Sequence, residues 1–113
     1  MVLTTSIQAD WHFERIECEV TAYTTSYEDC GKIDGITTSG TIAKYGTIAA
    51  PPHIDFGTKI IIDNEHFVVE DRGSAIIQRE NGTSVIDMWL PSTEECKQYG
   101  RQYKTCWMVI KNK

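Results

Sequence analysis

The chain has 113 residues, of which 41% are hydrophobic and 24% charged, enough for one domain with one core of moderate size and too balanced for a disordered segment. A formal net charge of −5, with the Lys and Arg residues scattered, excludes the clustered basic surface that nucleic acid requires. No apolar run approaches the ~20 residues of a membrane-spanning helix.

In chain order, the opening MVLTTSIQADWHFERIEC lacks a basic start followed by an apolar core and so does not read as a signal peptide. Residues 1–12 read as an N-terminal arm and residues 13–113 as the single domain. From Phe13 the pattern changes: Ile16, Cys18, Val20 and Ala22 alternate with Arg15, Glu17, Glu19 and Thr21, the signature of a half-buried strand. Threonine, tyrosine and glycine dominate residues 24–40, with Asp34-Gly35 as a turn signal, so this stretch is expected to be a long surface loop of the kind that often carries function. Gly46 to Ala50 reads as a short strand stopped by Pro51-Pro52, because proline lacks the ladder donor.

Phe56-Gly57-Thr58 leads into a hairpin with arms Lys59–Ile62 and His66–Val69 around a polar turn at Asp63-Asn64-Glu65. Its second arm delivers Glu70 and Asp71 to a bend at Arg72-Gly73-Ser74. A polar excursion with an Asn81-Gly82 turn follows, and then the apolar run Val85-Ile86-Asp87-Met88-Trp89-Leu90. Ser92 and Glu95 form a capping box that opens a short helix near residues 93–99, and Gly100 ends it. Tyr103 to Ile110 reads as a last strand with Cys106, Met108 and Ile110 on one side. About six or seven short strands and one helix favour an all-β closed barrel over a doubly wound sheet.

Asp87 is the anomaly in this pattern. Aspartate is depleted in strands, and an isolated carboxylate in an apolar setting finds a partner or takes up a proton. A proton held near neutral pH is what a general acid needs. The competing reading is a structural aspartate bonded to backbone amides, and for Asp71, at a strand exit before a glycine, that reading carries equal weight. Cys18, Cys30, Cys96 and Cys106 contain no C-x-x-C spacing, so no zinc or thioredoxin-type site is expected. They allow three full disulfide pairings, or buried thiols, and spacing does not choose among these. His12, His53 and His66 read as surface or strand residues with no nucleophile beside them.

Taken in order, Val20-Thr21-Ala22-Tyr23, Cys30-Gly31, Asp34 to Thr41, Phe56-Gly57-Thr58-Lys59, Glu70 to Ile76 and Ile86-Asp87 resemble the 3D (three-aspartate) domain family over residues 18–111. That family is a double-psi β-barrel related to the catalytic domain of membrane-bound lytic transglycosylase A. The resemblance implies a peptidoglycan lytic transglycosylase that cleaves the MurNAc-β-1,4-GlcNAc bond and leaves 1,6-anhydro-MurNAc, with no metal or organic cofactor. It implies Asp87 as general acid and then general base, with Asp71 as the second aspartate beside it. Tyr23, Thr38, Ser39, Gly73 and Ser74 are the expected substrate-binding groups, peptidoglycan glycan strands the expected partner, and the cell wall or extracellular space the expected site of action.

The chain departs from the family pattern at identifiable places. The family's first aspartate aligns with Ala50, and Asp55 falls where the family tends to have proline. The aspartate-threonine-glycine-glycine-alanine block is Asp71-Arg72-Gly73-Ser74-Ala75 here, and an Arg72 turned toward the aspartates would oppose a raised pKa at Asp87. Extra length lies around Gln78 to Gly82, between the two aspartates. Ala50 therefore keeps a second expectation open: a non-catalytic barrel that binds cell-wall glycan or serves in a phage or secretion assembly.

Overall fold

In the computed structural model, which describes residues 10–25 and 35–112, six strands close into one barrel and a single short helix packs outside it. The readings made for residues 1–9 and for Cys30, Gly31 and Asp34 lie outside the described residues. The strands are β1 (Trp11–Tyr23), β2 (Thr47–Ala49), β3 (Lys59–Ile62), β4 (Glu65–Asp71), β5 (Ser84–Trp89) and β6 (Gln102–Lys111), with helix α1 (Thr93–Tyr99) between the last two. Around the barrel the order is β1, β5, β2, β4, β3, β6 and back to β1. The sheet is mixed. β1 runs parallel to β5 and β2 parallel to β4, whereas β2/β5, β3/β4, β3/β6 and β1/β6 are antiparallel.

Strand β1 begins earlier than the alternation in its sequence suggests. Trp11 and His12 pair with Lys111 and Ile110, so an arm boundary after residue 12 falls inside a strand. Their partners lie at the far end of the chain, which no local pattern can announce. The β3/β4 hairpin turns through Asp63 and Asn64, both in the left-handed region (φ 52° and 66°). Two consecutive residues of that conformation match the right-handed twist of the flanking strands, and Asp and Asn tolerate it best after glycine.

The capping box also forms. The Ser92 hydroxyl accepts from the Glu95 amide at 3.2 Å and donates to the Glu95 carboxylate at 2.9 Å. At the other end the Gly100 amide returns to the Cys96 carbonyl at 3.1 Å.

Alternation decides which side chains fill the barrel. Val20, Ile48, Ile60, Ile62, Phe67, Val69 and Ile86 are fully buried inside, with the thiols of Cys18 and Cys106 hydrogen-bonded beside each other. Truncating Phe67 to Ala would cost ~3–5 kcal/mol, the range for a fully buried aromatic. A second, smaller cluster of Ala49, Ile76 and Val85 lies apart from this core. Ala49 and Val85 are strand neighbours of the inward-facing Ile48 and Ile86, so they point out through the barrel wall, where Ile76 of the β4–β5 connection covers them.

That connection, residues 72–83, explains an exception in β1. Alternation puts Glu19 on the outer, solvent side of the strand, yet it is buried. Arg79, from the connection, donates to both of its carboxylate oxygens at 3.3 and 3.1 Å, and Arg101 joins them from the start of β6. Those hydrogen bonds, Arg79 foremost, hold the Glu19 carboxyl below the usual carboxylate range.

Candidate functional site

The outer wall formed by β1, β5, β2 and β4 carries the two aspartates. Ala49 is in register with Asp87 on one side and with Asp71 on the other. Adjacent strands lie about 4.8 Å apart, so the two aspartate backbones stand roughly 10 Å from each other, near enough for the charge of one to act on the other. Asp71 reaches this face through a bulge. Ile48 pairs with Val69, but Ala49 pairs with Asp71, so Glu70 is passed over. Simple alternation from the inward Val69 would turn Glu70 outward and Asp71 inward; the extra residue re-aims Asp71 to the outer face beside Ala49.

Asp71 is surrounded by donors. Tyr23 donates its hydroxyl at 2.8 Å to one carboxylate oxygen. The other oxygen accepts from the Thr38 amide at 2.9 Å, the Thr38 hydroxyl at 2.8 Å and the Arg72 amide at 2.9 Å. Burial pushes the Asp71 carboxyl up, but these donors outweigh it and hold the group below the usual carboxylate range.

Among the described residues Asp87 has one donor, the Thr21 hydroxyl, 2.9 Å from one of its oxygens. Its carboxyl is pushed above the usual range, first by burial and then by the nearby charge of Asp71, against the opposing Thr21 bond. Tyr23, from β1, reaches Asp71 with its hydroxyl, and its phenol is pushed up by burial first, then by its bond to Asp71 and by both carboxylates.

Arg72 is turned away from the pair. Its guanidinium donates to the carbonyls of Ala50 at 3.1 Å and Ile54 at 2.8 Å and lies over the Phe56 ring, 4.1 Å from the centroid. The opposition that Arg72 would offer to a raised Asp87 therefore does not arise from its side chain, and its backbone instead serves Asp71. Ala50 is fully buried in the barrel core, and its amide donates to the Asp71 carbonyl at 3.3 Å.

Of the groups expected around the site, Tyr23 and Thr38 touch Asp71 directly. Ser39 sits next to them, its amide donating to the Glu70 carbonyl at 3.1 Å and its hydroxyl 3.2 Å from that of Thr37. Gly73 and Ser74 lie on the exposed bend that follows Asp71, where the Gly73 carbonyl accepts from the Ile76 amide at 3.0 Å. Trp89 donates its indole N–H to the Thr25 hydroxyl at 3.0 Å, which fixes the end of β5 to the segment after β1.

Thr21 is the residue that sequence reasoning did not single out. It shares a rung with Asp87, and only the parallel β1/β5 register reveals that. Cavities of about 340 Å³ beside Glu17 and Tyr103 and about 370 Å³ beside Phe13 and Trp107 lie away from the aspartates.

Among the described residues no group of three or more His, Cys, Asp or Glu is placed to hold a metal ion, and no helix is long and apolar enough to cross a membrane. Cys18 and Cys106 are buried free thiols, and the pairings that would use Cys30 lie outside the described residues. Fold and site together define a closed mixed β-barrel with a pair of unlike carboxyl groups on its outer wall. No protein-family model matches the chain, and no curated protein is significantly similar to it.

Proposed function

We propose that the chain is a peptidoglycan lytic transglycosylase in which Asp87 carries both proton transfers. The observation that carries this reading is the inequality of the two carboxyl groups flanking Ala49: among the described residues four donors hold the Asp71 carboxyl low, and Asp87 is desolvated with a single donor. Glycosidic cleavage proceeds through an oxocarbenium-like state, which needs a proton on the leaving oxygen and negative charge near the ring. Protonated Asp87 supplies that proton to the departing GlcNAc O4 as the C1–O4 bond breaks. Its carboxylate then removes the proton from the MurNAc C6 hydroxyl as that oxygen bonds to C1, closing the 1,6-anhydro ring and regenerating the acid. No enzyme nucleophile and no water enters, so the separation of the carboxyl groups does not select between retention and inversion.

In this scheme Asp71 remains an anion throughout, favouring positive charge at C1 and raising the pKa of its neighbour. The Thr21 bond occupies one Asp87 oxygen and leaves the other to carry the transferred proton. Tyr23, Thr38, Ser39, Gly73 and Ser74 border the aspartates and are the assigned substrate contacts. The likeness of the motif blocks to the 3D domain supports the same reading. The finer description of the barrel as double-psi belongs to this proposal, supported by two parallel strand pairs within an otherwise antiparallel ring. The glycan strands of the cell wall are the assigned partner and the wall the site of action.

Mass spectrometry of the soluble products from purified peptidoglycan tests the reaction. Anhydro-muropeptides released by the wild type and not by Asp87→Asn support it; their absence from the wild-type digest overturns it. A second reading is favoured by Ala50, which stands where the family's first aspartate would be: a barrel that binds wall glycan, or serves a phage or secretion assembly, without turnover. It predicts pull-down with insoluble peptidoglycan that Asp87→Asn leaves unchanged and no soluble product.

A further inference from the structure

Among the described residues the N-terminal half of β1 is paired on one side only. Trp11 to Val20 pairs with β6, whereas pairing with β5 begins at Cys18. Among the described residues no strand lies against the other side of Trp11 to Glu17, although the barrel elsewhere closes its strands on one another. An open edge presents unpaired N–H and C=O groups to any extended chain, and proteins usually guard such edges with proline or charged side chains, lysine above all; here Glu14, Arg15 and Glu17 supply charge, drawn into contacts along their own strand. The segment WHFERIE contains no proline and no lysine, and Trp11 and Phe13 are 52% and 63% exposed.

We propose that this edge pairs with the same edge of a second copy of the chain, antiparallel about a twofold axis through Phe13. A twofold axis perpendicular to a sheet keeps each side chain on its own face, so the axis must pass through a residue rather than between two. With Phe13 at the centre, the two Phe13 rings face each other, His12 faces Glu14 of the second copy, and Trp11 faces Arg15 of the second copy, each of the last two pairs occurring twice. Aromatic, charged and cation–π cross-strand pairs are all favourable in this position.

The neighbouring registers are not complementary. An axis at Glu14 or Arg15 sets like charges directly against each other, and one at His12 sets Asp10 against Glu14. An axis at Ile16 needs the edge of Cys18, which Ser84 of β5 already holds. Within one copy His12 contacts Glu14 at 3.0 Å and Asn112 at 2.5 Å, and Arg15 contacts Glu17 at 2.9 Å. These contacts keep the charged side chains on the two faces of the ribbon. Complementarity of the edge to itself is what selects a second copy over a foreign peptide. The pairing stands apart from the proposed reaction, since the aspartates lie on β4 and β5.

Light scattering on size-fractionated protein from micromolar to millimolar concentration should show the mass doubling. Phe13→Glu, which brings two carboxylates together on the axis, should raise the concentration for half-dimerisation at least ~tenfold. Phe13→Cys should be linked between chains by a short bis-maleimide far faster than the wild type or Tyr103→Cys, whose new thiol sits at a 71% exposed position on another strand. A mass that stays monomeric throughout, an undiminished dimer in folded Phe13→Glu, or crosslinking of Phe13→Cys no faster than Tyr103→Cys overturns the pairing. The crosslinking result decides alone if Phe13→Glu does not fold.

Discussion

Asp71 and Asp87 flank the same alanine on the same wall, and burial pushes both upward, yet the two end on opposite sides of the ordinary carboxylate range. Asp71 terminates a strand, where the chain bends to offer the Arg72 amide and the segment carrying Thr38 can bring an amide and a hydroxyl to it. Asp87 lies within a strand whose amides are committed to the ladders of β1 and β2, so its donor comes from a side chain on the same rung of the neighbouring strand. Donor supply, set by position along the strand, therefore acts together with burial to send the two carboxyls in opposite directions. A carboxyl in mid-strand under a hydrophobic cover is poised to hold a proton; one at a strand exit is poised to remain charged.

The severest way to break this contrast is to remove the acid. Asp87→Asn keeps the shape and the Thr21 bond but cannot deliver or recover a proton, and on the proposed mechanism the rate of anhydro-product formation should fall ~100- to 10,000-fold. An Asn variant retaining more than about a tenth of the wild-type rate in the same mass-spectrometric assay would remove Asp87 from the acid role.

Asp71→Asn should have a smaller effect, about 10- to 100-fold on the rate, because it removes charge near the ring without removing the proton carrier. It should also lower the pKa of Asp87 by deleting the neighbouring negative charge, so the alkaline limb of the pH–rate profile moves to lower pH. The same variant tests linkage in the fold. The depressed Asp71 pKa contributes stability that is present above the unfolded-state value and is lost as pH falls through the lower folded-state value. Asp71→Asn should flatten that part of the acid unfolding curve followed by circular dichroism, and an unchanged curve would count against a charged, donor-held Asp71.

Much of this was legible in the sequence because it is local. Two-residue alternation marks β1, the capping box marks α1, and the run Val85 to Leu90 marks Asp87 as a carboxyl in apolar company. What stayed hidden depends on which strand lies next to which. The bulge that passes over Glu70 and turns Asp71 outward is a property of the β2/β4 pairing, absent from either strand alone. Thr21 becomes the partner of Asp87 through a rung spanning much of the chain, and Glu19 is buried because arginines from residues 79 and 101 converge on it. The direction of Arg72 likewise depends on the carbonyls of Ala50 and Ile54, which become available only where the chain after β2 turns. The extra length around Gln78 to Gly82 supplies Arg79, which holds Glu19 on the outer face of the barrel, and just before it Ile76 packs over Ala49 and Val85.

Single donors sharpen the comparison further. Tyr23→Phe removes one of the four bonds to Asp71, a loss of about 0.5–1.5 kcal/mol and less than about tenfold in rate. The Asp71 pKa should rise, and with it the pH below which the anion, and the activity it supports, is lost. Thr21→Val removes the one donor to Asp87 among the described residues while leaving its cover intact, and is expected to have the smallest effect at neutral pH. Because that bond favours the ionised form, its loss should raise the Asp87 pKa and carry the alkaline limb to higher pH, opposite in direction to Asp71→Asn. The two limbs should thus move independently: Tyr23→Phe shifts the acid side, Thr21→Val the alkaline side. If both variants displace the same limb, the carboxyl groups share one proton as a coupled pair, and separate roles for Asp71 and Asp87 cannot stand.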